Sequence, residues 1–79
     1  MKEVYVLIDY GAGDVIYASE NFTNVQEMMY EHYMDMLYYE FLWRVNYDGM
    51  SASDAYTSVK NALDPWYRET IVIEKVILD

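Results

Sequence analysis

A chain of 79 residues with no cysteine and a formal charge of −9 is short enough for a single small domain and has no disulfide staple or thiol chemistry to draw on. Its acidity disfavours direct contact with nucleic acid or an anionic membrane and favours basic surfaces, and no apolar run is long enough for a membrane span. At 54% hydrophobic, with ten Tyr and six Met, it is too rich in core-forming residues to be an acidic disordered chain.

In chain order, Met1-Lys2-Glu3-Val4 shows no signal-peptide pattern, because an acid follows the single Lys, and a cytoplasmic setting is the expectation. Residues 4–9 are β-branched and aromatic and predict a strand. Tyr10 to Asp14 holds two glycines able to take positive φ and predicts a turn, and residues 15–18 predict a second strand that completes a hairpin. Thr23 and Gln26 have the spacing of a capping box, with Thr23 as N-cap of a long helix reaching about Tyr47 or Asp48. Gly49 suits the left-handed position after that helix. Ser51 and Asp54 predict a second helix start, running from about 52 to 63, where Asp64-Pro65 is expected to stop it. Residues 70–78 predict the last strand. The expected fold is α+β in the order ββααβ, a three-stranded antiparallel sheet with two helices on one face, in one domain covering 1–79.

Between Glu3 and Trp43 lie eight acids and no Lys or Arg. At about 100° per residue, the long helix predicts a core face of Val25, Met29, Tyr30, Tyr33, Met36, Leu37, Phe41 and Tyr47. Glu27, Glu31 and Asp35 form a stripe on the other side, with Met28, Tyr38, Tyr39 and Leu42 on or beside it. Like charges one turn apart destabilise an isolated helix, and no base on that stretch relieves them. The helix is also apolar around more than one face, which asks for burial on more than one side.

Other constellations carry less. His32 has acids nearby but no second His, short of the convergent ligand set a metal site needs, and no metal or cofactor is expected. Gly11-Ala12-Gly13 follows a strand but lacks a third glycine and a following helix, so it predicts a hairpin turn rather than a dinucleotide loop. Asp9 and Asp14 flank that turn, yet no nucleophile has a base beside it, and the chain is expected not to be an enzyme. Trp66, after Pro65, is expected to close the core. Arg44 and Arg68 are expected to pair with nearby carboxylates such as Glu40, Asp48 or Glu69.

In size, acidity, tyrosine content and lack of motifs, the chain resembles small phage-encoded antagonists of bacterial defence, of the anti-CRISPR and anti-restriction type. The resemblance is of type and carries over no residue. It implies a non-enzymatic inhibitor that meets the basic nucleic-acid channel of a nuclease or other nucleic-acid-binding protein, as a mimic of nucleic acid or at another surface the nuclease needs. The residues expected to meet that partner are Asp9, Asp14, Glu20, Glu27, Glu31, Asp35 and Glu40, with Tyr38 and Tyr39 as anchors. The alternative expectation is a homodimeric structural or adaptor protein joined through the apolar excess of the long helix.

Overall fold

Val4 to Ile8 place five apolar residues in a row, and in the computed structural model, which describes residues 1–79, they form the middle of a sheet. β1 (Lys2–Asp9) pairs antiparallel with β2 (Asp14–Ser19) on one side and with β3 (Ile71–Leu78) on the other, in the order β2-β1-β3. Helices α1 (Phe22–Asn46) and α2 (Ala52–Thr70) lie between β2 and β3 in the chain. The architecture is the α+β, ββααβ arrangement that the sequence predicts.

The period of two along a strand sorts the sheet into two faces. Leu7 sits opposite Tyr17 and Ile73, and with Tyr5 and Ile71 these residues form the face packed under the helices. Val4, Val6 and Ile8, beside Val76, Glu74 and Val72 of β3, form the opposite face, which takes no part in the core. A register shift between Leu7 and Ile8 bends the β1–β2 pairing next to the turn. The turn itself is held by Asp9, whose Oδ1 accepts from the backbone N–H groups of Gly11 at 2.8 Å and Ala12 at 3.1 Å. Gly13 closes it with φ +75, a left-handed conformation that glycine adopts without steric cost.

The start of α1 differs from the expected capping box. Asn21, not Thr23, is the N-cap, and its Oδ1 accepts from the Thr23 N–H at 2.9 Å and the Asn24 N–H at 3.4 Å. Asn satisfies orphan helix donors at least as well as Thr. Starting the helix two residues earlier also brings Phe22 onto Tyr5, with ring centroids 5.0 Å apart. At the other end Gly49 adopts φ +69, and the Met50 N–H donates to the Arg44 carbonyl at 3.1 Å. Ser51 caps α2 by accepting from the Asp54 N–H at 3.2 Å.

Asp64-Pro65 does not end α2. The helix runs through Pro65 to Thr70 and passes directly into β3 at Ile71. Pro65 removes one N–H and leaves the Asn61 carbonyl without its helical donor. Asn61, Pro65 and Glu69 all lie on the exposed side of α2, where water can satisfy that carbonyl, while Leu63 and Tyr67 on the other side are buried. Packing of that buried row outweighs the local penalty.

Only eight residues are buried: Leu7, Val25, Leu37, Ala55, Val59, Leu63, Tyr67 and Ile71. Beyond Leu37 no residue of α1 is buried, although the helix continues for nine more. The molecule measures 53 × 20 × 15 Å, so the far ends of α1 and α2 form a hairpin that extends past the core. No helix is long and apolar enough to cross a membrane.

Candidate functional site

The carboxylates of Glu27, Glu31 and Asp35 stand one turn apart on the exposed side of α1 and take part in no ion pair. Beside them runs a second i, i+4 row, Tyr30, Met34 and Tyr38, which is also exposed. Acid row and aromatic row together cover one broad side of the helix. Thr23, Gln26, Glu27, Tyr30 and Glu31 line a shallow depression at its start. Further along, Met34, Leu37, Tyr38, Phe41 and Tyr56 line an apolar dimple of about 180 Å³ between α1 and α2. Tyr38 therefore stands between free carboxylates and an apolar recess able to take one side chain.

The other expected site residues scatter. Asp14 is exposed at the start of β2, and Asp9 beside it is partly buried, with one carboxylate oxygen committed to the turn. Glu20 sits beyond the opposite end of that hairpin and pairs with Lys2 at 3.0 Å. The pairing register separates Ser19 from Asp14 by five residues, roughly 16 Å along a strand. Tyr39 is exposed and touches Tyr38 edge to face, with centroids 5.9 Å apart, but points about 100° away around the helix. Glu40 is exposed on the side opposite the stripe, where it lines a groove of about 240 Å³ with Met36, Arg44, Val59, Ala62, Leu63 and Trp66. The fold thus gathers Glu27, Glu31, Asp35 and Tyr38, and leaves Asp9, Asp14, Glu20, Tyr39 and Glu40 outside that group.

Several packing expectations change. Tyr30 and Tyr47, expected in the core, are exposed, whereas Met28, expected beside the stripe, packs against the core. The apolar residues of α1 span so wide an arc that the wheel alone cannot tell which part faces the sheet. Trp66 does not close the core: it is 42% exposed, and its ring lies near Gly11 at the hairpin turn. Arg44 and Arg68 make no ion pair, while the three lysines pair with Glu20, Asp64 and Glu3. Arg44 sits in the groove with its Nε buried and without a hydrogen-bond partner. The exposed Tyr30, Met34 and Tyr56 are surface residues beside the stripe and the dimple that the sequence reading misses. For the first two, the signal was the i, i+4 row running alongside the acids.

Beneath the surface, polar side chains lock α1 to α2. The Tyr67 hydroxyl donates to the Met29 carbonyl at 3.0 Å and lies 2.9 Å from His32 Nδ1. Because the single hydroxyl proton goes to Met29, His32 Nδ1 must carry a proton and donate to the Tyr67 oxygen. Burial, and then the negative charge of Asp9, push the Tyr67 hydroxyl up to about 12. The Tyr33 hydroxyl donates to Asp64, and that hydrogen bond, with some desolvation, raises its pKa. Lys60 completes the cluster, 3.6 Å from Asp64 and 6.0 Å from the Tyr33 ring centroid, and its pKa is raised first by Tyr33 and then by Asp64. His32 is thereby used in holding the helices together, and no three His, Asp or Glu side chains converge as metal ligands would.

The chain matches no known family model, no curated protein and no solved structure.

Proposed function

We propose that the chain is a non-enzymatic binding protein whose acidic, tyrosine-lined side of α1 engages a basic surface on a nucleic-acid-handling protein and inhibits it. The observation that carries this reading is the row Glu27, Glu31 and Asp35, exposed and without cationic partners, alongside exposed Tyr30 and Tyr38. Like charges one turn apart weaken a helix, and nearby Lys or Arg would strengthen it. Here the charge is left for something else to neutralise. Carboxylates one turn apart stand about 6 Å from each other, comparable to phosphates along a strand. The cations that give a nucleic-acid-binding protein its affinity would meet them as they meet phosphate. Tyr38 and the dimple beside it supply the apolar anchor that charge alone lacks. The formal charge of −9 adds long-range attraction toward a cationic channel.

The test is competition. The domain is immobilised, nuclease-treated bacterial lysate is passed over it, and retained protein is challenged with duplex DNA. Release of a nucleic-acid-binding protein by DNA, together with loss of capture by E31K/D35K, is the expected result. Capture that neither DNA nor that double reversal disturbs would remove the acidic stripe from the account.

A further inference from the structure

The side of α1 opposite the acidic stripe is only half covered. Down this line run Val25, His32 and Met36, which are buried or half-buried, followed by Tyr39, Trp43 and Tyr47, which are 70%, 56% and 73% exposed. The spacing is the three-and-four alternation of a helix face meant to be covered. The core and Tyr67 of α2 cover its first half, and the cover stops there. Trp43 and Tyr47 stack on each other with ring centroids 4.3 Å apart, next in the helix to Glu40 and Arg44, which line the groove with Trp66 of α2.

The dimensions say how much is missing. The radius of gyration is 15.4 Å, whereas a compact chain of this length would have about 12 Å. The accessible surface is 5548 Å², against about 5,000 Å² for a compact monomer of this mass. At about 200 Å² apiece, Tyr39, Trp43, Tyr47 and Trp66 together leave on the order of 500 Å² uncovered. That is well over half of the ~800 Å² each partner contributes to an interface of standard size.

We infer that this groove is the two-fold interface of a homodimer, in which the projecting helical hairpins of two copies lie antiparallel and face to face. Charge selects a second copy as the occupant. The groove holds one acid and one base, Glu40 and Arg44, one turn apart on α1, and neither is in an ion pair. A basic partner would face Arg44 with like charge, and an acidic one would do the same to Glu40. A two-fold axis crossing the groove midway between Glu40 and Arg44 sets Glu40 against Arg44 of the second copy and Arg44 against its Glu40, satisfying both at once, as an isologous interface requires. Repulsion between two chains of −9 is limited in this arrangement, because Glu27, Glu31 and Asp35 lie on the far side of each α1 and stay in solvent. The dimer does not depend on the binding role proposed for that stripe. If both hold, it presents two stripes on opposite outer sides.

Sedimentation equilibrium across micromolar to submillimolar concentration tests it, with helix content followed by circular dichroism. The expected result is a dimer that either E40R or R44E weakens at least tenfold, that W43A weakens likewise, and that the double exchange E40R/R44E restores. All these positions are at least partly exposed, so the variants should keep their helix content. A wild-type chain that stays monomeric throughout overturns the inference. So does a dimer indifferent to W43A and to both single reversals, which would place the contact on the open sheet face of Val4, Val6 and Ile8. Failure of the double exchange to restore association would overturn the two-fold register.

Discussion

The two halves of α1 are made of similar residues and live in different circumstances. From Phe22 to Leu37 the helix lies on the sheet, is capped by Asn21, and is tied to α2 through Tyr33, His32 and the Met29 carbonyl. From Tyr38 to Asn46 it is at least as rich in apolar residues, yet buries none of them fully. Apolar content therefore does not say where a core lies. What differs is the neighbour: a sheet under the first half, and only one other helix beside the second.

Substitutions should fall unequally on the two halves. The largest effect is expected at Val25 and at its fully buried companion Leu7 in the sheet. Leu7→Ala should cost about 2–5 kcal/mol in chemical denaturation, a large part of the roughly 5–15 kcal/mol that holds a typical small domain. Tyr67→Phe comes next, at roughly 1–3 kcal/mol, because it leaves the half-buried His32 Nδ1–H without its acceptor and removes the second donor of the Met29 carbonyl.

That variant also has a pH signature. The Tyr67 hydroxyl titrates at about 12 in the folded protein and near 10.0 when exposed. Its contribution is whole below pH 10 and is lost as pH rises toward 12, because the unfolded chain then releases a proton that the folded one retains. Denaturation curves taken below pH 10 and near pH 12 should lie closer together in Tyr67→Phe than in the wild type. Part of the slope should remain, from Tyr10 and Tyr33, whose pKa values are also raised.

Asn21→Ala should cost about 1 kcal/mol through the loss of the cap, measured as a drop in melting temperature. Thr23→Ala should cost less, which distinguishes the cap observed from the one the sequence predicts. The smallest effects belong to the exposed positions. Tyr39→Ala, assayed at a dilution where the chain is monomeric, should stay within about 0.5 kcal/mol of the wild type. E31K/D35K should stabilise the domain by a few tenths of a kcal/mol, since it turns the repulsion between positions 27 and 31 into an attraction while positions 31 and 35 stay like-charged. A destabilised E31K/D35K would mean that the stripe has internal partners after all.

The strands were legible because Val4 to Ile8 and Ile71 to Ile77 are rich in β-branched and aromatic residues. The α1–α2 connection was legible because Gly49 and Ser51 do local work that few other residues do. The end of α2 was not, since the cost of Pro65 is local while the reason to continue, burial of Tyr67 against α1, lies more than thirty residues away in sequence. The stripe Glu27, Glu31, Asp35 could be read from spacing alone. That Asp9 would be occupied by its own turn, Glu20 by Lys2, and Glu40 turned to the opposite side depended on tertiary placement.

The sheet also sets the order in which the protein can be completed. β1 is the central strand, and one of its two neighbours, β3, is the last element of the fold to be synthesised, with Lys2 opposite Leu78. While a ribosome makes the intervening helices, β1 can hold β2 but must keep its other edge bare, and Val4, Val6 and Ile8 remain available to any passing strand. Closing the sheet brings together the first and last strands of the fold, a slow kind of contact to form. A nascent chain stalled before Ile71 would display an open, apolar strand edge, and its fate would rest with chaperones and proteases rather than with the stability of the finished fold.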